Sequence, residues 1–413
     1  MTGDVTVTGF GVRTAFGAGA DALRRGVFAG VPSFAPTTRF DTGPYRTPMA
    51  GAAPDGADAA EHRALRPALA HCGREALDMA GLPAGTQAAV LLGIAGDCTG
   101  ITRFWREAAE PGGGAGPADP DGGADTAPSP GKGDGDAVAR LADAVPAHLA
   151  ESLARSLGLT GPRLTFTNAC VASAAAIIHA CRLISSGRAD VAVCAGGYLV
   201  EEETFGKFDS GRALSRDGLV RPFSADRTGL LLGDGVAAVV LESAEHARRR
   251  GARPLAGVTG WGAATDAHHI AQPHPEGVGL ARAARQALRL AGDPDGAALD
   301  YVNAHGTGTK YNDGAETRGL RAALGERAGS IPVSSTKSTT GHLLEAAGVV
   351  EFVITVLALM DGVLPPTANL TRPDPECDLD YVPNRPRQAD VRRALTINAA
   401  FGGANTALVL ERP

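Results

Sequence analysis

The chain has 413 residues and a formal net charge of −6, with 44% hydrophobic and 20% charged residues, which is typical of a globular protein long enough for two domains or one large fused unit. The acidic balance argues against nucleic acid or a membrane surface as the main partner. Six cysteines without a CxxC pair indicate neither a zinc site nor a disulfide framework, so we expect no metal and a reducing, cytoplasmic location.

The first half of the chain alternates strands with helices. It opens without a basic leader, and no uncharged apolar run approaches about 18 residues, so neither export nor membrane spanning is expected. The predicted elements are a strand at 5–12, helices at 20–28 and 63–80, a strand at 88–94, a helix at 145–157, a strand ending at 168, strands at 190–197 and 235–242, and a helix at 245–250. The strand at 88–94 is apolar on both faces, which favours a parallel sheet covered by helices. The segment 110–136 has almost no large apolar side chain, so we predict a mobile loop there.

The second half repeats this order of elements. It contains predicted strands at 255–262, 300–304, 331–335 and 406–411, and predicted helices at 279–291 and 341–360. The last strand mirrors the one at 235–242, and the helix at 341–360 corresponds to the one after Cys170. We therefore predict a duplicated α/β unit with helices between and around two sheets, although the repeat is visible only at the ends of the halves.

Cys170 is the first candidate for chemistry, because a predicted strand ends at Asn168 and an Ala-rich helix follows. The first turn of a helix has unpaired N–H groups and a partial positive charge, which favour a thiolate. This effect lowers a pKa by at most about 1.5, so a nucleophile needs further help from a histidine or a cation. Taken alone, Cys170 is better explained as one more small buried residue of an Ala-rich helix.

Three further motifs supply such groups at strand ends. His305 follows a short strand in a loop of glycine and threonine, and Lys337 and His342 lie together in another strand-to-helix connection. The sequence Phe-Gly-Gly at 401–403 precedes the last strand, where glycine lets main chain approach a ligand. Ligands of α/β proteins bind at strand ends, so these residues predict one shared cleft.

Together the motifs resemble the β-ketoacyl-acyl-carrier-protein synthases of the thiolase superfamily. The matching stretches are 5–12, 164–178, 211–215, 221–229, 232–235, 265–269, 305–309, 312–316, 335–342 and 401–403. The resemblance implies a thiolase-like fold, in which two duplicated βαβαβαββ halves form a layered α-β-α-β-α sandwich. Residues 1–247 would then carry the nucleophilic cysteine, and residues 248–413 the catalytic histidines and lysine.

The resemblance also assigns roles to residues of this chain. Cys170 is implied as the nucleophile, with His305 and His342 completing a Cys-His-His triad that Lys337 supports. The implied substrate-binding positions are Thr307, Thr309, His268, Ala399, Phe401 and Gly402, with Glu316 and Glu351 as acidic supports.

The implied reaction loads an acyl chain from acyl carrier protein onto Cys170 and condenses it with a malonyl-type extender that loses CO2. Substrates travel on the phosphopantetheine of the carrier, so no other cofactor is implied. The family dimerises, and the partner is expected to be a second copy or a related ketosynthase-like subunit.

Two departures from the family pattern favour specialised metabolism, such as polyketide assembly, over housekeeping fatty-acid synthesis. Many relatives read Asn-Ser-Phe-Gly-Phe-Gly-Gly where this chain reads Ile-Asn-Ala-Ala-Phe-Gly-Gly at 397–403, which puts Ala399 where a gating ring covers the acyl tunnel. The segment 110–136 replaces an ordered stretch of relatives near the dimer interface. Both changes suggest a bulkier or less linear acyl group.

Four alternatives stay open at this point. The chain could be a housekeeping fatty-acid 3-oxoacyl synthase II, or a non-catalytic chain-length-factor-like subunit, against which the retained Cys170, His305 and His342 argue. It could be redirected to another acyl-cysteine step, such as an intramolecular aldol or lactone closure. A thiolase-like enzyme using coenzyme A is disfavoured, because thiolases use a second cysteine and one histidine.

Overall fold

The computed structural model describes residues 4–53, 64–99, 101–102 and 141–413. The loop predicted at 110–136 lies outside these residues. The strands are β1 Val5–Thr14, β2 Gly17–Ala18, β3 Ala35–Pro36, β4 Met49–Ala50, β5 Ala89–Gly93, β6 Arg163–Phe166, β7 Val191–Tyr198, β8 Gly235–Ser243, β9 Ala256–Thr265, β10 Tyr301–Asn303, β11 Val333–Ser334, β12 Val363–Leu364, β13 Arg387–Gln388, β14 Arg393–Ala399 and β15 Ala404–Glu411. The α-helices are α1 Ala20–Leu23, α2 Leu65–Ala80, α3 Pro146–Ser156, α4 Ala172–Ser185, α5 Glu202–Ser210, α6 Ala244–Arg249, α7 Val278–Leu290, α8 Asn312–Leu324, α9 Lys337–Thr340 and α10 Ala347–Asp361.

One sheet runs through both halves of the molecule. Its strand order is β11-β10-β14-β15-β9-β1-β8-β7-β5-β6, with β2 paired to β1. In each half the outer strands pair in parallel and the inner strands in antiparallel fashion, and β1 joins β9 at Val5 to Val7. The order β6-β5-β7-β8-β1 of the first half is matched by β11-β10-β14-β15-β9 in the second, so the predicted duplication is confirmed.

Three hydrophobic clusters fill the spaces between the layers. The largest contains side chains of α4 and α10 together with inward-facing residues of both halves, the second lies between α2, α3 and the first half of the sheet, and the third between α7, α8 and the second half. The predicted α-β-α-β-α layering follows, with α4 and α10 in the middle. Burial of apolar surface contributes roughly 25 cal/mol per Å², so this shared middle layer ties the halves together.

Glycine allows the two middle helices to cross closely. A Cβ atom on Gly348 of α10 would lie 2.5 Å from the Ala174 nitrogen of α4, and one on Gly93 of β5 would lie 2.2 Å from the Ser173 nitrogen. Contacts this short are sterically forbidden, so only glycine fits at these positions. The start of α4, just after Cys170, is thereby fixed against its neighbours.

Two predicted helices differ from the structure. The helix predicted at 341–360 begins only at Ala347, because Leu344 has a φ of +46° and residues Leu344–Ala346 form a 3₁₀ turn instead. The helix predicted at 20–28 is α-helical only over Ala20–Leu23 and continues as a π-helix over Arg24–Phe28. Within the described ranges, no helix is both long enough and apolar enough to cross a membrane.

Candidate active site

Cys170 lies at the entrance to the middle helix α4. After β6, Ala169 takes a left-handed φ of +53°, residues Ala169–Val171 form a 3₁₀ turn, and α4 starts at Ala172. A positive φ at a residue with a Cβ is strained, and such strain is held where the surrounding structure enforces a sharp change of direction. The turn leaves the Cys170 side chain 6% exposed, at the carboxyl end of a parallel strand.

His342 places a ring nitrogen beside the thiol. The distance from His342 Nε2 to Cys170 Sγ is 3.0 Å. The His342 N–H donates to the Leu231 carbonyl at 2.7 Å, and its carbonyl accepts from the Gly233 N–H at 3.1 Å. Since the backbone is held on both sides, the imidazole has little freedom to leave the sulfur.

The His305 ring lies next to the His342 ring. The ring centroids are 5.4 Å apart and the planes nearly perpendicular, at 87°. The His305 and Gly306 N–H groups donate to the buried Glu316 carboxylate at 2.6 and 2.7 Å, so α8 anchors the loop that carries His305. No described residue bonds the Nδ1 atom of either ring, so neither tautomer is fixed by a protein partner.

The charged side chains of the site lie behind the two imidazole rings. Lys337 and Glu351 form a fully buried ion pair, and Asn398 donates to the same carboxylate group at 2.5 Å. Burial, and then the Lys337 ammonium, lower the pKa of both His305 and His342 well below its usual value. Both rings are therefore neutral at pH 7.

The thiol is also neutral in the resting site. Burial first, and the Glu345 carboxylate second, raise the pKa of Cys170 to about 12, against the Lys337 ammonium, which lowers it. The helix terminus lowers a pKa by at most about 1.5, so burial outweighs its preference for a thiolate, and the further help that the sequence analysis called for is needed. Sulfur and imidazole form a neutral pair, in which His342 can take the proton as the thiol attacks.

A cavity of about 340 Å³ opens onto these three side chains. Thr307 and Thr309 line it, and their hydroxyl groups are 2.8 Å apart. Ala399 also lines it, together with Phe401, which is 52% exposed. The ring of Phe208 stacks on Phe401 at 5.6 Å and meets His342 edge-on at 6.4 Å, so two aromatic rings line the cavity beside the histidine.

The structure brings most of the predicted site residues together. The residues lining the cavity are Cys170, His305, His342, Thr307, Thr309, Ala399 and Phe401, while Lys337, Glu316 and Glu351 are buried behind it. His268 does not line it: the left-handed Ala267, with a φ of +48°, turns the chain and leaves His268 exposed against His274. Gly402 is exposed beside Phe401 and likewise lies outside the lining.

Sequence reasoning missed several residues of this site. Phe208 and Lys207 reach the cavity from α5, an element that the hydrophobic pattern did not predict. Arg227 and Asn312 also line it, and both belong to motifs of the family resemblance. Glu345, the charge that acts most strongly on Cys170, had no sequence signal of its own.

One group of side chains among the described residues has a metal-like spacing. The ligand atoms of Cys98, Glu201 and Glu203 lie within 4.8 Å of one another. Lys207 pairs with Glu203 at 2.7 Å and the Thr204 hydroxyl donates to Glu201 at 2.8 Å, so one carboxylate already has a cationic partner and the other a hydrogen-bond donor. This arrangement does not call for a cation.

Comparison with known proteins gives consistent matches along the whole chain. The beta-ketoacyl synthase N-terminal domain model matches residues 2–247, and the C-terminal domain model residues 255–371. The ketoacyl synthase alpha subunit of the tetracenomycin polyketide synthase of Streptomyces glaucescens is 38% identical over 99% of this chain and 97% of that protein. The 3-oxoacyl-[acyl-carrier-protein] synthase 2 of Synechocystis is 43% identical over 64% of this chain and 65% of that protein.

Solved structures match over the full length as well. The ishigamide ketosynthase/chain length factor aligns with a TM-score of 0.86 at 32% identity, covering both chains completely. A structure of AntDE:AntF, a type II acyl-carrier protein in complex with its ketosynthase, aligns with a TM-score of 0.85 at 26% identity, again over both complete chains.

Proposed function

The chain belongs to the β-ketoacyl synthase family, and from this premise we propose how its own residues carry out the condensation. The resemblance and the thiolase-like fold are both confirmed. The protein is a ketosynthase, an acyltransferase that joins an acyl chain to a malonyl-type extender on acyl carrier protein. The contact between His342 Nε2 and Cys170 Sγ, with His305 facing the same cavity, carries the residue assignments.

The first step is acyl transfer to Cys170. The Sγ–C bond forms as His342 takes the thiol proton, the bond to the carrier sulfur breaks, and the proton passes to that sulfur. The backbone N–H groups of Cys170 and Phe401, at the start of their 3₁₀ turns, are the proposed donors to the transient oxyanion. Thr307 and Thr309 offer hydroxyl groups to the pantetheine arm at the cavity wall.

The second step is decarboxylation of the extender. Loss of CO2 leaves an enolate at the thioester oxygen, which neutral imidazole groups of His305 and His342 stabilise as hydrogen-bond donors. Because neither ring has a fixed tautomer, His342 can accept from the thiol in loading and donate in this step. The enolate carbon then attacks the acyl-Cys170 carbonyl, and the sulfur leaves with a proton from the site. The product is two carbons longer.

Polyketide or other specialised metabolism is the favoured setting. The full-length relative is a polyketide synthase subunit, whereas the fatty-acid synthase match covers 64% of the chain. The methyl groups of Ala399 and Ala400 line the cavity and leave room for a bulky acyl chain. A housekeeping fatty-acid role and a redirected acyl-cysteine step are the alternatives.

An acyl carrier protein is the proposed substrate partner. Lys310 and Arg212 line the same cavity as the thiol, so cations lie along the path for an acidic partner and its phosphopantetheine. Arg227 and Lys207 line it too, but they pair with Asp374 and Glu203. Free cysteines, buried or half-buried in the described chain, suit a cytoplasmic location.

A dimer is proposed through the edge strand β6. This strand pairs with β5 on one side only, and Leu164 on it is 36% exposed. An open edge with an exposed leucine favours pairing with another strand. A second copy of the chain or a related ketosynthase-like subunit is the proposed partner.

Intact-mass analysis with an acylated carrier protein, followed by malonyl carrier protein, tests this function. We expect the acyl mass on Cys170, its absence from Cys170→Ala, and a 3-oxoacyl carrier two carbons longer. An adduct that never elongates would favour the redirected enzyme. Absence of any adduct in the wild type would contradict both readings.

A further inference from the structure

The loop that carries His305 runs from the buried centre of the site to the protein surface. His305 is 4% exposed and Thr307 is 5% exposed. Thr309 is half-buried, Lys310 is exposed, and all four residues line the cavity that opens onto Cys170. In phosphopantetheine the phosphate and the thiol are at opposite ends of the arm. An arm whose thioester lies at the thiol and which passes the two threonines therefore leaves the cavity, phosphate last, at the mouth beside Lys310.

Arg227 fixes the outer end of this loop. Its Nε–H donates to the Thr309 carbonyl at 3.0 Å, and its Nη2 donates to the Lys310 carbonyl at 3.3 Å. An ion pair with Asp374 holds the guanidinium in place. The Lys310 ammonium lies 5.6 Å from the centroid of the Tyr311 ring, within the range of a cation–π contact. The position of Lys310 at the mouth is therefore set by its neighbours.

Arg212 lines the same cavity from a strained turn. It follows the end of α5 and has a left-handed φ of +56°. Its N–H donates to the Asp209 carbonyl at 2.9 Å, and the Ala213 N–H donates to the Phe208 carbonyl at 3.0 Å. This is the Schellman arrangement, in which the left-handed residue is usually glycine, because a Cβ atom there is strained. The end of the helix thus gives no reason for an arginine at this position.

The charges around the cavity leave these two cations without an anion. In the described part of the chain, no carboxylate pairs with Arg212 or Lys310, whereas the two other cations of the lining have such partners. The described lining contains one acidic residue, Asp266, whose carboxylate accepts from the His274 N–H at 2.9 Å and the Gly279 N–H at 3.0 Å. In a chain of net charge −6, two unneutralised cations at one cavity favour an anionic ligand.

We propose that Arg212 and Lys310 bind the phosphate of the phosphopantetheine arm at the mouth of the cavity. The inference rests on the proposed function, because the arm delivers the acyl chain to Cys170. A phosphate ester offers negative charge and several acceptor oxygens, which suit a guanidinium and an ammonium group. Binding the far end of the arm holds the thioester near the thiol, so loading becomes faster. In loading, the acyl carbon passes from the pantetheine sulfur to Sγ, and the Cys170 proton ends on the released sulfur.

The test compares three hexanoyl thioesters, those of pantetheine, phosphopantetheine and coenzyme A. The readout is the second-order rate of acyl-Cys170 formation by intact mass, and the phosphate ratio is the rate with phosphopantetheine divided by that with pantetheine. We expect a phosphate ratio of about ten, because a hydrogen bond to a charged group contributes enough free energy for a tenfold change. Coenzyme A should give no further gain, since a carrier protein is the proposed source of the phosphate. A clear gain with coenzyme A would overturn that source.

Two variants remove the charges one at a time. Arg212→Gly and Lys310→Gln should each lower the phosphate ratio to about three or less, since each deletes one charged partner of the phosphate. Glycine takes a left-handed φ freely, so Arg212→Gly should not lower the unfolding temperature. Arg216→Gln is the matched control: it removes the charge of an exposed arginine of the same segment that lies outside the lining, and it should keep the wild-type ratio.

The phosphate ratio separates phosphate binding from general damage to the site, which would slow both thioesters alike. Equal rates for the two thioesters in the wild type would overturn the phosphate site while leaving acyl loading intact. The same conclusion would follow if Arg212→Gly and Lys310→Gln both kept the wild-type ratio, or if Arg216→Gln lowered it as much as they do. Failure of every thioester to acylate wild-type Cys170 would instead contradict the proposed function.

Discussion

At the residue level, the reacting groups are neutral and the charges stand behind them. Burial keeps the Cys170 thiol protonated and both imidazoles unprotonated. The Lys337–Glu351 pair, inside the second half, supplies a fixed field rather than a proton. The thiol therefore becomes nucleophilic only when His342 takes its proton during attack.

The pH dependence of alkylation checks this state. With a pKa near 12, the thiolate fraction of Cys170 rises throughout the range from pH 7 to 10. We expect the iodoacetamide reaction at Cys170, followed by peptide mass spectrometry, to accelerate with pH and show no plateau in this range. A plateau already reached at pH 7 would indicate a thiolate–imidazolium pair instead.

Removing the charge of Lys337 should cost stability as well as activity. Lys337→Met leaves Glu351 buried without its cation, which destabilises a protein by about 3–5 kcal/mol. Urea denaturation should show this loss, and adding Glu351→Gln should restore most of the stability without restoring condensation. Full activity in the double variant would contradict an electrostatic role of the Lys337–Glu351 pair in catalysis.

At the level of elements, packing fixes where the catalytic turns meet. The long strands other than β14, and most helices, could be predicted from the sequence, because buried strands and amphipathic helices have distinct apolar periods. The start of α10 could not, since Leu344 takes a left-handed φ that depends on the packing around it. Phe208 and Glu345 were missed for a related reason: their importance comes from neighbours distant in sequence.

The crossing of α4 and α10 gives an element-level prediction. Gly348→Ala would place a methyl group 2.5 Å from the Ala174 nitrogen, so the helices must separate. We expect a loss of about 1–3 kcal/mol in the free energy of unfolding, together with slower acylation of Cys170. Gly329→Ala, where no atom lies within 4 Å of the added methyl group, is the matched control. Equal stability of the two variants would contradict the packing argument.

The buried Glu316 carboxyl group should make the free energy of unfolding depend on pH. Burial raises its pKa to about 7, so between its unfolded value near 4.5 and pH 7 the folded protein binds more protons than the unfolded chain. This group's contribution to the free energy of unfolding therefore falls as pH rises through that window. Relative to wild type, Glu316→Gln should gain about 2 kcal/mol between pH 5 and 7 in urea denaturation. A constant difference between the two proteins would exclude the raised pKa.

At the level of the whole molecule, duplication creates the site. The first half supplies Cys170 and the second supplies His305, Lys337 and His342, and the two meet around the shared middle layer. The family resemblance predicted this arrangement and seven of the residues that line the cavity. It also placed His268 in the site, whereas local backbone geometry turns that side chain outward.

Assembly should depend on the edge strand β6. Leu164→Arg puts a charge on the open edge, so we expect a dimer to dissociate in light scattering coupled to size exclusion. Leu290→Arg changes a leucine of similar exposure, 44%, on the outer helix α7, and should leave the mass unchanged. Dissociation by Leu290→Arg alone would place the interface elsewhere.

The central claim is that acyl-Cys170 is the species consumed by the decarboxylated extender. The most direct measurement is a single-turnover experiment that follows acyl-Cys170, CO2 and the 3-oxoacyl carrier together after malonyl carrier is added to the loaded enzyme. The account predicts that one CO2 and one product appear for each acyl-Cys170 lost, and that Cys170→Ala forms no product. Product formed by Cys170→Ala, or CO2 and product appearing while acyl-Cys170 persists, would contradict it.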